Sequence, residues 1–477
     1  MVLLRLLPAG AAGEGPSRRG EAFGVLAALG VAAWNVAVVG GWFLAPSTLT
    51  ASDFTQYCLA AVDMGRGAVE DVATSRSRFA AWLPGRLVGS VGVLDALWLG
   101  STLPGVLLLH LGTYLWARAL HSRAAGIAAV VAIGFFGPVV TMSRTVTFYP
   151  ALVGCTAMAT GLAVASVRWP RAAFLVPAEI CTALLPLLDV RGLLWVPAPL
   201  VLMAVGVVRA GWRARIVAVV ALVGAFELSW YGGRYAYAPR AQGIEAQAWF
   251  YADEAVRSAG LEAEFRYPPV GGGFVWGRSD ERTLPRTVAV LREISAAIPP
   301  GVRDARAATE GRSRNVVPLV PLAGVAALAA VAGLFRSPLR LGAFVVSVAP
   351  YAVMVAQAAA IIAHPRYLGS GLAGLPVVLG VAAAALGGLD AGVRRAPWRE
   401  GVLLLWFVVL SSRVLPQWGT SHFLDVHRHA DEAPASVVLA ARAGRHQEGC
   451  SFQMMKERAA GGAGDSRLFP TPDEPGR

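Results

Sequence analysis

Residues 96–123 read ALWLGSTLPGVLLLHLGTYLWARALHSR, and the apolar run AAGIAAVVAIGFFGPVV follows at once. From Ala96 to Ala117 there is no Asp, Glu, Lys or Arg. A helix of about 20 such residues crosses the ~30 Å hydrocarbon layer of a bilayer. Arg118, His121 and Arg123 then interrupt the run, and a second apolar block begins. Apolar block, basic turn, apolar block is the pattern of two membrane helices joined by a tight turn. Lipid offers no partner to an unpaired backbone group, and a helix supplies its own.

The same pattern extends in both directions. Apolar blocks lie at 22–44, 96–117, 124–143, 147–166, 172–188, 193–208, 214–232, 315–335, 341–362, 367–388 and 400–416. They predict an all-α polytopic transmembrane bundle of about eleven spans. The chain is 56% hydrophobic and 15% charged, where soluble domains carry about 45–50% and about 25%. Its net charge of +12 would suggest nucleic acid as a partner in a soluble protein. Here the basic residues are Arg throughout except for Lys456, and many sit between apolar blocks. With the N-terminus in the cytoplasm, the inner loops hold Arg118, His121 and Arg123; Arg168 and Arg171; Arg209, Arg213 and Arg215; Arg336 and Arg340; Arg394, Arg395 and Arg399. The short outer connections hold little beyond Arg144, Asp189 with Arg191, and His364 with Arg366. That asymmetry obeys the positive-inside rule and excludes a nucleic-acid partner as the reason for the charge.

The expected organisation is a cytoplasmic segment 1–21, a membrane module 22–416 and a periplasmic tail 417–477, largely disordered and rich in Gly, Arg and Asp. The block 22–44 is too long for a cleaved signal and reads as a retained first span. Arg in place of Lys, with abundant Ala and Gly, suits a GC-rich bacterial genome, so the expected location is the bacterial inner membrane. Cys155 and Cys181 fall inside spans, and nothing in the spacing of Cys58 and Cys450 demands a disulfide.

Two outer loops are long, 45–95 and 233–314. In the first, Ser52-Asp53 is a helix N-cap signal, and Phe54, Tyr57, Cys58, Ala61 and Val62 share one helical face. A second amphipathic stretch follows, with Phe79, Trp82, Leu83, Leu87 and Val88 on one side and Arg76, Arg78 and Arg86 interspersed. Two helices lying at the membrane surface fit this loop. Asp53 then has two readings: a cap that complements the helix dipole, or a general base on a hydroxyl at the membrane boundary.

This arrangement resembles the GT-C superfamily of integral-membrane glycosyltransferases. Asp53-Phe54-Thr55-Gln56-Tyr57 is similar to the start of the first outer loop in bacterial polyprenol-dependent mannosyl- and arabinosyltransferases. His364-Pro365-Arg366-Tyr367-Leu368, running into a span with Pro376, is similar to the entry of a late span in the protein O-mannosyltransferase and aminoarabinose-transferase branch. The resemblance covers about 20–416. It departs from many relatives in two ways: Phe54 stands where an adjacent acid is common, and the tail is too short for a folded outer domain. The resemblance implies a sugar donor on a polyprenyl phosphate, a glycan, lipid or protein acceptor, contact with membrane lipids, Asp53 as base, and inversion at the anomeric carbon. It leaves a divalent metal open.

The outer arginines are the candidates for the donor phosphate, because a guanidinium fork binds two oxygens and stays charged. They are Arg76, Arg78, Arg86, Arg144, Arg191 and Arg366, and Arg366 leads, with His364 and Tyr367 flanking it. Several also have a plainer reading: Arg76 and Arg78 on lipid headgroups, Arg366 snorkelling beside an interfacial Tyr, Asp189 and Arg191 as a local ion pair in a tight turn. Within spans, Glu179, Glu227, Asn35 and His110 are read as structural hydrogen-bonding groups, Glu227 within reach of a central cavity. His422, His427 and His429 do not have zinc-site spacing. Gly271-Gly272-Gly273 lacks the Lys of a phosphate loop. The aromatic residues Trp249, Phe250, Tyr251, Tyr267 and Trp276 of the second loop suit sugar or membrane contact. The rival functions are a transporter or flippase of a lipid-linked intermediate, an O-antigen-type polymerase or ligase, and a non-catalytic scaffold.

Overall fold

The computed structural model describes residues 18–34, 60–61, 64–65, 67, 77–91, 93–136, 139, 148–237, 319–335, 337–360 and 374–386. Among these there is no strand. The helices are α1 (Arg18–Trp34), α2 (Arg78–Val91), α3 (Val93–Leu97), α4 (Leu103–Leu120), α5 (Arg123–Phe135), α6 (Tyr149–Arg168), α7 (Ala172–Leu188), α8 (Pro197–Arg209), α9 (Trp212–Tyr237), α10 (Leu319–Leu334), α11 (Pro338–Ala360) and α12 (Leu375–Leu386). A π-turn, Trp98–Thr102, fuses α3 to α4, and a 3-10 turn, Val190–Trp195, precedes α8. Helices therefore occur at each apolar block except 400–416, which lies outside the described residues.

Four helical stretches among the described residues are long and apolar enough to cross a membrane: Asp95–Leu120, Tyr149–Arg168, Gly192–Arg209 and Trp212–Gly233. Large apolar side chains also stand on the outside, among them Val220 (68% exposed), Leu328 (71%) and Leu386 (77%). Apolar surface on this scale calls for lipid rather than water as the solvent.

α4 and α6 run parallel and form the centre. Gly105 lies against Pro150 and Ala151, Gly154 against Gly105, Gly112 against Ala157 and Met158, and Gly161 against Gly112. Both pairs of glycines are a heptad apart, the repeat that keeps one seam of a helix facing its neighbour. In lipid, helices gain nothing by hiding apolar surface from water, so contact between backbones has to supply the attraction. Small residues permit it. A Cβ at Gly112 would sit 2.5 Å from the Ala157 carbonyl carbon. α6 is the most enclosed of the candidate spans, with 94% of its window buried, and α9 the least, at 17%. On α9, Ala218 and Ala225, again a heptad apart, are buried together with Gly233, and Glu227 is exposed rather than turned inward.

The arginine-flanked turns that follow α4, α6 and α8 gather at one end with the end of α10. Arg168 Nη1 donates to the carbonyls of Arg118 (2.9 Å), Ala119 (3.1 Å) and His121 (2.9 Å). Arg209 donates to Val167, and a Cβ on Gly333 would lie 4.0 Å from His121 Nε2. Arg215 closes α8 by donating to Ala210 (2.7 Å) and Val208 (2.5 Å). Each guanidinium meets carbonyls that a helix C-terminus leaves unpaired, where the dipole favours a cation.

α5 is shorter than the apolar block 124–143 predicts. Phe136 is extended (φ −74°, ψ 115°), and Pro138 stands two residues on. Proline has no N–H to continue the ladder and clashes with the preceding turn.

The seam yields a direct prediction. Gly112→Ala should cost about 1–3 kcal/mol, and Gly112→Leu should leave no monodisperse protein after detergent extraction. Gly342, with open space around it, should accept Ala without loss of melting temperature. Equal melting of Gly112→Ala and wild type would remove the seam as the organising contact.

Candidate functional site

At the end opposite the arginine turns, α2 meets α7. Ser77 is the N-cap of α2: its Oγ accepts from the amides of Phe79 (3.1 Å) and Ala80 (3.3 Å). The same hydroxyl donates its proton to the Leu187 carbonyl, 110 residues away. Leu187 belongs to the last turn of α7, whose carbonyls have no partner within the helix. One side chain thus satisfies orphan groups of two helices, and the positive end of one dipole faces the negative end of the other.

This junction brings together two of the residues predicted from sequence. Arg78 is the first residue of α2, and its side chain is buried. Asp189 caps the C-terminus of α7, its amide donating to Leu185 (3.3 Å) and its carbonyl accepting from Gly192 (2.8 Å). Arg191 follows in the 3-10 turn. Gly192 has the Leu185 carbonyl and Pro186 where a Cβ would project, so the turn folds back flat on the end of α7. Asp53, Arg76, His364, Arg366 and Tyr367 lie outside the described residues, as do Arg144, Asn35 and the histidines of the tail.

α2 packs on the rest of the protein with its small residues. Ala81, Pro84, Gly85 and Val88 are buried, whereas Trp82 (49%) and Leu83 (40%) are exposed, with Arg86 over the Trp82 ring at 5.9 Å. The reason is close approach. Gly85 lies against Met64, and Gly100 of the π-turn against Pro84. The small face docks on the bundle, and the large apolar residues are left for the membrane interface.

Beneath the junction the core is aromatic. Trp116 Nε1 donates to Ser347 Oγ (2.9 Å), and the Tyr351 ring lies between Trp116 (5.1 Å) and Trp195 (4.7 Å). Gly374, where the described chain resumes after 373, sits on the Tyr351 ring. His110 is satisfied within its own helix by the Val106 carbonyl (2.7 Å), as expected. Glu179 differs: its Oε2 is buried without a hydrogen-bond partner. Among the described residues no group of three His, Cys, Asp or Glu could hold a metal ion.

Ser77 was not among the residues singled out from sequence. Its position before an amphipathic run is a legible cap signal, but its bond to Leu187 is not. If Ser77 joins the two helices, Ser77→Ala should speed hydrogen exchange at the Phe79 and Ala80 amides about fivefold, from about 1 kcal/mol of lost capping. Unchanged exchange there would show that α2 is held by other contacts.

No family model matches the chain, and no curated protein matches it. Solved structures similar to it include the apo oligosaccharyltransferase of Archaeoglobus fulgidus, 14% identical over 96% of this chain and 61% of that one, with a TM-score of 0.47. The oligosaccharyltransferase AglB of the same organism, solved with an inhibitory peptide and a dolichol-phosphate, is 15% identical over 96% and 61%, with a TM-score of 0.49. ArnT from Cupriavidus metallidurans bound to undecaprenyl phosphate is 14% identical over 94% and 78%, with a TM-score of 0.40. The chain spans about three fifths of the length of the oligosaccharyltransferases.

Proposed function

We propose that the chain is a membrane glycosyltransferase of the GT-C type, acting on the periplasmic side of a bacterial inner membrane. It would move a sugar from a polyprenyl-phosphate donor to a glycan, lipid or protein hydroxyl. The observation that carries this reading is the docking of α2, a helix of the first long outer loop, onto the end of α7. In that contact Arg78, buried, follows Ser77 in the chain, and Asp189 and Arg191 follow Leu187.

In the proposed reaction the acceptor oxygen attacks the anomeric carbon while the bond from that carbon to the phosphate oxygen breaks. Asp53 takes the acceptor proton, and polyprenyl phosphate leaves with the electron pair. The configuration inverts. Arg76, Arg78, Arg191 and Arg366 are the cations that balance the leaving phosphate, since guanidinium pairs oxygens bidentately and holds its charge at every working pH. Asp189 is the carboxylate that pairs with Arg191 in the same turn, and His364 and Tyr367 flank Arg366 at the mouth of a late span.

One observation favours a transporter instead: the buried carboxyl of Glu179 with its unpartnered oxygen, since ionisable groups inside a bilayer often mark a transport path. Under the transferase reading Glu179→Gln leaves transfer intact.

The test is turnover of radiolabelled polyprenyl-phosphate sugars by membranes containing wild type or Asp53→Asn at matched expression. Loss of transfer in the variant, with unchanged melting, is the expected result. Equal transfer would remove Asp53 from the chemistry. Absence of transfer with every donor would turn the case toward transport. In the same assay Arg78→Ala should raise KM for the donor about tenfold, the scale of one charge-assisted hydrogen bond, with a smaller change in kcat. A fall in kcat alone would place Arg78 outside donor binding.

A further inference from the structure

Cys155 and Cys181 lie in different spans, and the α6–α7 hairpin brings them to the same depth in the bundle. The Cys155 thiol, buried, donates to the Cys181 carbonyl at 3.3 Å. Both cysteines are free. A disulfide requires a Cβ separation of about 3.8 Å, and here the thiol of one cysteine already lies against the backbone of the other.

The two residues stand on unequal supports. Cys155 follows Gly154, which is pressed against the Gly105 backbone in the α4–α6 seam. Cys181 lies between Pro177 and Pro186, both inside α7. Each proline deletes one rung of the helical ladder, so the segment holding Cys181 is the least braced part of α7. Its far end carries the Leu187 carbonyl that receives Ser77. Cys181 is also only half-buried, which gives a reagent dissolved in the bilayer a route to its sulfur.

We propose that Cys155 and Cys181 are a modification site: a dithiol that closes to a disulfide on meeting a lipid-soluble two-electron acceptor of the quinone class. Two S–H bonds break, one S–S bond forms, and the quinone takes both protons and both electrons to become the hydroquinone. Closure staples the proline-flanked segment of α7 to the rigid α6 and restrains the end of α7 that holds α2. The proposal is independent of the transferase reading, because its readouts are thiol count and melting.

The experiment uses the full chain with Cys58→Ser and Cys450→Ser, purified in nanodiscs and treated with decylubiquinone or copper–phenanthroline. The samples are then denatured in SDS and labelled with polyethylene-glycol maleimide. The expected gel shows two labels before oxidation, none after it, two again after dithiothreitol, and no dimer band. Oxidised protein should melt several degrees higher, while Cys155→Ser and Cys181→Ser should each keep one label and an unshifted melt. Two labels surviving oxidation, or their loss into a dimer, would overturn the pairing. A disulfide that leaves the melting temperature unchanged would overturn the staple. The single variants show no such gain if they fold, and a failure to fold in either is separated by a conservative Cys→Ala exchange at the same position.

Discussion

The backbone contact between α4 and α6 is the constraint on which the rest of the bundle depends. Neither helix has a hydrophobic reason to prefer its neighbour over lipid, so their association must come from the number of atoms in van der Waals contact. Gly105, Gly112, Gly154 and Gly161 remove the side chains that would hold the axes apart. With that pair set, α5 has only to return the chain from the inner end of α4 to the start of α6. α7 and α8 then pack on the remaining sides of α6, and the outermost helices are free to present Val220 or Leu328 to lipid.

The arginines serve two ends at once. Their distribution along the chain follows the asymmetry that orients a membrane protein during insertion. In the folded bundle three of them, Arg168, Arg209 and Arg215, turn back onto carbonyls at the ends of α4, α6 and α8. Arg118 and Arg168 also lie over the same Trp169 ring, at 5.2 and 5.1 Å, where the face of the indole attracts a cation. A residue chosen for its charge thus closes helix ends that would otherwise need water near the membrane surface.

At the opposite end the joints are lighter. The Ser77 hydroxyl links α2 to α7, and α7 itself holds Pro177 and Pro186. The proposed chemistry and the proposed thiol switch both fall on this side of the molecule. A rigid parallel pair with a jointed neighbour gives one part of the bundle that holds geometry and another that can be adjusted, which suits the proposed transfer, in which a lipid-linked donor enters and the lipid leaves.

The sequence by itself determined the helices and their order. Apolar length and interrupting arginines are local properties, and in lipid a sufficiently long apolar run has no alternative to a helix. It also marked Arg78 and Asp189 as chemistry-bearing outer residues. Local reading was weakest where a neighbour decides. It put Trp82 and Leu83 of α2 on one side of a surface helix, but it did not tell that Gly85 packs on Met64 and Pro84 on Gly100. It gave Glu179 a structural hydrogen bond, but no partner meets its Oε2. It found no pairing for Cys155 and Cys181, because their meeting depends on how a hairpin aligns two helices. Only the tertiary structure decided that four glycines in two helices form one seam, and that Ser77 and Leu187 share one proton across 110 residues. Periodicity reports which residues face away from their own helix axis, and contact depends on which other helix stands opposite.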